Sequence, residues 1–159
     1  MRKSYKKSVT KANIILFGTS NSGKTTTLKI LHYLLVGSMP PAKTPRVQIT
    51  YKGLAIDIAF NGDDLETVEQ NVAFFKANPY DIALSPTRTD GGPVLAMNYF
   101  VNKTFPSTEI VLWKRLEAIP EGQQAANVMV HDPKDYAKNY PQSYEVAMKL
   151  KEIIDDIAR

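Results

Sequence analysis

Eight consecutive residues, 18 to 25, have the types and the spacing that bind phosphate groups. They read Gly-Thr-Ser-Asn-Ser-Gly-Lys-Thr, the pattern G-x-x-x-x-G-K-[ST], and we call them the 18–25 loop. Its glycines allow the backbone to turn tightly and to approach an anion that a Cβ would obstruct. In this pattern the lysine reaches the β- and γ-phosphates of a nucleotide, and the last hydroxyl ligates Mg²⁺. The predicted nucleotide contacts are Gly18, Thr19, Ser20, Asn21, Ser22, Gly23, Lys24, Thr25 and Thr26.

The segments on either side of the loop fit this chemistry. Residues 14–17 are apolar strand formers, and residues 26–35 carry four leucines at helical spacing. A strand, a tight turn and a helix direct backbone N–H groups and the positive end of the helix dipole at a bound anion. With these flanks the motif resembles the P-loop NTPase superfamily, and the resemblance covers the eight residues of the loop. It implies that Lys24 acts on the reacting phosphates.

In sheets of this class, ligands bind beyond the carboxyl ends of the strands. A second magnesium ligand is therefore expected just after another strand, and Asp63, which follows an apolar run, fits best. The alternative is structural, because Asp63 and Glu66 have the spacing of a helix capping box. Asp57 also follows apolar residues, but three more strand residues follow it. We therefore expect Asp57 to be buried below the edge of the sheet.

Arg88 is the third candidate catalytic residue, after Lys24 and Asp63. It lies just after a short apolar strand and before Gly91 and Gly92. A guanidinium there could neutralise charge on a transferred phosphoryl group or bind a substrate anion. The alternative is a surface arginine paired with Asp90.

Two features favour ATP over GTP. The residues around Arg88 only loosely match the guanine-reading motif [NT]-K-x-D, because Arg88 replaces its lysine. The helix–loop–hairpin order resembles small GTPases, which carry an Asp-x-x-Gly motif after the hairpin. In this chain Phe60 occupies the place of the aspartate of that motif. ATP and Mg²⁺ are thus the predicted cofactors, with Thr25 and Asp63 as the metal ligands.

The remaining pattern predicts an α/β fold. Strand-like runs alternate with helical patterns, which favours a three-layer P-loop NTPase sandwich with a mostly parallel sheet. Residues 47–60 read as a β-hairpin, which adds one antiparallel edge strand. Residues 128–130 are compatible with either an edge strand or a helix. The other predicted strands are 11–17, 82–84 and 110–113, and the predicted helices begin near residues 23, 64, 93 and 143.

Composition indicates one globular domain, residues 11–159, behind a basic tail, residues 1–10. The net charge is +4, but residues 1–56 contain no acid, so the basic charge lies with the 18–25 loop. The tail could contact nucleic acid, although solvated tails of this kind are common. The chain contains no cysteine and no apolar run of about 20 residues, and the basic start is not followed by the apolar region of a secretory signal peptide, so we expect a cytoplasmic protein without a membrane partner.

Three functions fit these features. The first is a slow ATPase or a nucleotide-dependent regulatory protein, and such a protein could act on a protein partner. The second is a small-molecule kinase, which would need an acceptor pocket and usually a lid with paired arginines. The third is a non-catalytic nucleotide-binding module or a switch similar to small GTPases. The arginines at 46, 88, 115 and 159 are far apart in the sequence, which favours the first function over the kinase.

Overall fold

The computed structural model describes residues 11–19, 22–104, 110–117 and 136–159. The basic tail, Ser20, Asn21 and residues 128–130 lie outside the described residues. Strands and helices alternate along the described chain. The strands are β1 Ala12–Phe17, β2 Arg46–Tyr51, β3 Leu54–Ala59, β4 Ile82–Thr87 and β5 Ile110–Arg115. The helices are α1 Lys24–Val36, α2 Leu65–Ala77, α3 Gly92–Tyr99 with a π-helical turn Phe100–Thr104, α4 Tyr136–Asn139 and α5 Pro141–Ile157.

The five strands of the described chain form one sheet in the order β2-β3-β4-β1-β5. β1 pairs in parallel with β4 and with β5, and β3 pairs in parallel with β4. β2 is antiparallel to β3 and lies at one edge, as the hairpin pattern predicts. The predicted mostly parallel α/β sheet with one antiparallel edge strand is therefore confirmed.

Helices cover both faces of the sheet. Alternate residues of β1 point in opposite directions, so Ile14 and Leu16 join one apolar cluster and Ile15 joins another. The first cluster includes side chains of α1 and α5, and the second includes side chains of α2 and α3. The result is a helix–sheet–helix arrangement in which the end of β1 opens into the 18–25 loop. No helix in the described ranges is both long and apolar enough to cross a membrane.

Two local expectations differ from the structure. β4 continues through Pro86 to Thr87, although Ser-Pro favours a turn, because residues 86 and 87 still pair with β1. Pro86 lies beyond Leu84, the last β4 residue that pairs with β3, so its missing N–H removes no bond of that ladder. The helical spacing of Leu65, Val68, Val72 and Phe75 predicts an apolar stripe on α2, but Leu65 is 44% exposed, and Asn71 is the buried polar residue of this helix.

Candidate functional site

The 18–25 loop joins β1 to α1 and requires glycine at two positions for different reasons. Gly23 is the N-cap of α1 and has φ 80°, a left-handed conformation that side chains disfavour. A Cβ on Gly18 would lie 2.7 Å from the backbone oxygen of Leu116, which follows β5. The two glycines of the motif therefore set the turn of the loop and its close contact with the β5 side of the sheet.

Lys24 is the first residue of α1, and its side chain folds back toward the loop. Its Nζ donates hydrogen bonds to the backbone oxygens of Gly18, at 2.9 Å, and Thr19, at 2.7 Å. The Ser22 hydroxyl donates to the same Thr19 oxygen, at 2.7 Å. Lys24 is only 5% exposed, and this burial lowers the pKa of its ammonium group. A positive charge is thus held against the inner side of the loop.

Asp63 is the carboxylate that approaches this ammonium group. The distance from Lys24 Nζ to Asp63 Oδ1 is 3.7 Å, an ion pair slightly too long for a hydrogen bond. Asp63 Oδ1 is buried and has no hydrogen-bond partner among the described residues. Burial lowers the pKa of Lys24, and the neighbouring Asp63 carboxylate opposes that effect by raising it. Its carboxylate therefore has an acceptor atom available beside the loop.

The capping alternative for Asp63 is wrong. α2 begins at Leu65, so Asp64 is its N-cap, in an extended conformation, and accepts a hydrogen bond of 2.7 Å from the Thr67 N–H. That hydrogen bond to the helix amide lowers the pKa of Asp64. Two adjacent carboxylates therefore have different positions: Asp64 caps the helix, and Asp63 faces Lys24.

Arg88 reaches the same edge from β4. The sheet order places β4 directly beside β1, and Thr87 is paired with Phe17, the residue before the loop. Burial is the main cause of the lowered pKa of Lys24, and the positive charge of Arg88 lowers that pKa further. No ion pair joins Arg88 to Asp90 in the part of the chain that the structure describes, so the predicted surface pair is not observed.

Residues 60–63, which we call the 60–63 segment, connect β3 to α2 and bring Asp63 across the end of β4. Thr25 Oγ1 donates a hydrogen bond of 2.7 Å to the Phe60 backbone oxygen and so ties α1 to this segment. Gly62 lies against β4 so closely that a Cβ would overlap the carbonyl group of Pro86. The segment can therefore cross from β3 toward the loop even though β4 lies between β3 and β1.

Sequence reasoning missed Thr87 and Asn71. Thr87 is fully buried at the end of β4, and its Oγ1 has no hydrogen-bond partner among the described residues. The sequence feature that could have identified Thr87 is its hydroxyl group directly before Arg88. Asn71 is 1% exposed and donates a hydrogen bond of 2.8 Å to the Asn61 backbone oxygen. The sequence feature that could have identified Asn71 is its position: a polar residue three positions after Val68, on the helix face that packs against the sheet.

Asp57 lies in the middle of β3 rather than at the edge, in agreement with its expected burial. It is fully buried, its Oδ1 accepts a hydrogen bond of 2.7 Å from Gln48 Nε2, and its Oδ2 has no partner in the described ranges. Burial raises its pKa to about 7, and the Gln48 hydrogen bond opposes that rise. Asp57 therefore titrates near neutral pH.

Replacing Asp57 by asparagine should remove a pH-dependent loss of stability. Because its pKa is about 7 folded and 3.8 unfolded, the folded state binds more protons between these values, and stability falls as the pH rises through that range. The ceiling of this loss is about 4 kcal/mol, at about 1.4 kcal/mol per pKa unit. Urea unfolding at pH 5 and pH 8 should show Asp57→Asn gaining on the parent by about 1–3 kcal/mol at the higher pH. Exposed Asp156→Asn is the control, and an equal pH dependence in Asp57→Asn and the parent would contradict the assignment.

The oxygen donors at this edge suit Mg²⁺ bound together with a nucleotide. Mg²⁺ in such sites takes one or two protein oxygens and completes its shell with phosphates and water. The Thr25 hydroxyl and Asp63 Oδ1 are such oxygens: Thr25 follows Lys24 in the chain, and Asp63 Oδ1 lies 3.7 Å from Lys24 Nζ. The described residues contain no group of three or more His, Cys, Asp or Glu that could hold a metal by themselves. Two protein oxygens are a number that Mg²⁺ accepts where phosphates and water complete its shell.

Lys24 and Asp63, predicted separately from the sequence, lie 3.7 Å apart, and Arg88 follows Thr87 at the same carboxyl edge of the sheet. Thr25 is also at this edge, whereas Asp57 is not. The chemical roles of these residues remain predictions. Comparison of the chain with protein families, with curated proteins and with solved structures found no match.

Proposed function

We propose that this protein is a P-loop nucleotide-binding domain that binds ATP with Mg²⁺ and hydrolyses it slowly, as an ATPase or as a nucleotide-dependent regulatory protein. The observation that supports this most is the 3.7 Å approach of Asp63 to Lys24, with Arg88 nearby. These charges come from three chain segments and meet beside a strand–loop–helix motif that suits a phosphate group.

Different residues would bind the phosphates, hold the metal and stabilise the charge that develops in the reaction. The loop amides and Lys24 would bind the β- and γ-phosphates, and the positive end of α1 adds to this attraction. Thr25 and Asp63 would hold Mg²⁺, which when bound neutralises phosphate charge. Arg88 would stabilise charge that develops on the γ-phosphoryl group, since its guanidinium keeps its charge and presents a planar fork of donors. The buried Thr87 hydroxyl is a further donor at this end of β4.

Binding of adenine nucleotides should be at least as tight as binding of guanine nucleotides. Arg88 stands where the guanine-reading motif [NT]-K-x-D carries its lysine, so Asp90 lacks the residue that accompanies a base-reading aspartate in that motif. Phe60, at the position where a GTPase would carry an acid, is buried, and its ring makes a T-shaped contact with the ring of His32. Displacement of a fluorescent ATP analogue by ATP and by GTP measures this preference. A GTP affinity tenfold above that for ATP would revive the GTPase reading and give Asp90 a role in base recognition.

The activity itself is tested by ADP release from ATP and Mg²⁺, with and without a panel of small hydroxyl and phosphate acceptors. ADP release that needs no acceptor supports hydrolysis. Release that appears only with one acceptor would instead support phosphoryl transfer, the kinase alternative. Binding without either reaction would leave a regulatory or non-catalytic module.

A further inference from the structure

The 60–63 segment, which carries Asp63, is held from two sides. On one side, Thr25 donates to the Phe60 backbone oxygen at 2.7 Å, and Lys24 lies 3.7 Å from Asp63. Under the proposed function, these two side chains turn to Mg²⁺ and to the phosphates. When the nucleotide and Mg²⁺ bind, the contacts of Lys24 and Thr25 with the 60–63 segment would therefore weaken, although Asp63 must stay in place to bind the metal.

On the other side, the contact comes from Asn71 in the middle of α2. Its Nδ2 donates to the Asn61 backbone oxygen at 2.8 Å, two residues before Asp63. Its Oδ1 accepts a hydrogen bond of 2.7 Å from Arg46 Nε, at the start of β2. A carbonyl oxygen can only accept and a guanidinium can only donate, so these two partners allow one orientation of the amide. Neither contact uses a group that the nucleotide would engage.

Arg46 is itself fixed from two residues of α2. Besides Asn71, it donates from Nη2 to Gln70 Oε1 at 3.0 Å. Asn71 itself is 1% exposed, so losing one of its two partners would leave a buried polar group unpaired. The network therefore joins β2, α2 and the 60–63 segment into one support that is independent of the 18–25 loop.

We infer that Asn71 is a positioning residue, which keeps Asp63 in place for Mg²⁺ when Lys24 and Thr25 turn to the nucleotide. This inference rests on the proposed function. A purely structural Asn71 would affect unfolding but would leave the Mg²⁺ requirement of folded protein unchanged.

The test uses Asn71→Asp, which keeps the size of the side chain and the acceptor for Arg46 but cannot donate to Asn61. We expect the Mg²⁺ concentration that half-saturates ATP binding to rise roughly tenfold, the effect of about one lost hydrogen bond. ATP affinity measured in EDTA should stay within about twofold, since the 18–25 loop is unchanged. Arg46→Lys, which loses the planar fork, should shift the Mg²⁺ requirement in the same direction by roughly threefold.

The matched control is Asn78→Asp, at the other end of α2. Asn78 Nδ2 donates to the Phe74 backbone oxygen at 2.8 Å, so this variant loses the same kind of hydrogen bond far from Asp63. It should lower the melting temperature without changing the Mg²⁺ requirement. A parent-like Mg²⁺ requirement in folded Asn71→Asp and Arg46→Lys, or an equal shift in Asn78→Asp, would overturn the inference. A parent protein that binds no ATP would overturn the proposed function, and the inference with it.

Discussion

Replacing Lys24 by alanine is expected to abolish measurable binding of triphosphate while the protein stays folded. Lys24 contributes the buried positive charge of the loop, and its contacts are with the loop carbonyls and Asp63 rather than with the apolar core. Each hydrogen bond to a charged group contributes about 1.5–3 kcal/mol, so losing two to phosphate should weaken binding at least about 100-fold. Alanine is the best helix former, and it suits the first position of α1.

Calorimetric titration with ATP and Mg²⁺ measures the affinity, and circular dichroism verifies the fold. Lys29→Ala is the matched control, because it removes a lysine of the same helix that is only partly buried. It should bind ATP like the parent. Undiminished ATP affinity in folded Lys24→Ala would contradict the assignment of the 18–25 loop as the nucleotide site.

The sequence predicts the secondary structure well where local signals agree. The strand, loop and helix around residues 18–25 follow from periodicity and from two glycines. The spacing of Ala147, Leu150, Ile154 and Ile157 predicts the buried face of α5; the first three are buried, but Ile157 is only half-buried. The end of β4 does not follow, because Ser-Pro is a local turn signal. Pairing with β1, a long-range interaction, extends that strand past Pro86.

Which residues come together in the site depends on the order of the strands in the sheet, and the sequence pattern does not give that order. Sequence places Asp63 and Arg88 each after a strand, but the order of the strands decides whether they meet. β4 lies between β3 and β1, so Arg88 lies beside the loop, and Asp63 reaches it only because Gly62 lets the chain cross Pro86. Asn71 contacts Asn61 within one βα unit, but its other partner, Arg46, lies on β2, 25 positions earlier in the chain.

The sequence also does not decide which of Asp63 and Asp64 is the N-cap of α2. Either carboxylate could cap α2, and the position of the first helical residue, Leu65, decides it. The same ambiguity now offers a matched pair of variants. Asp63 and Asp64 are neighbours of identical chemistry, one facing Lys24 and the other bonded to the Thr67 amide.

Asp63→Asn is therefore expected to lower ATP turnover roughly 10- to 100-fold at limiting Mg²⁺, since a charged oxygen ligand becomes a neutral amide. Part of the loss should be recovered at high Mg²⁺, because the substitution weakens metal binding rather than phosphate binding. The melting temperature should change little, because Asp63 caps no helix and its carboxylate is partly exposed. Steady-state hydrolysis across a Mg²⁺ series measures the effect.

Asp64→Asn is the control for this change, because asparagine caps a helix nearly as well as aspartate and should leave both turnover and melting temperature unchanged. Asp64→Ala should cost about 1 kcal/mol of stability through loss of the cap, again without a change in the Mg²⁺ requirement. Equal turnover in Asp63→Asn, Asp64→Asn and the parent at every Mg²⁺ concentration would remove Asp63 from the metal site. The carboxylate would then be only the partner of Lys24 in an ion pair, and Thr25 would be the sole protein ligand proposed for Mg²⁺.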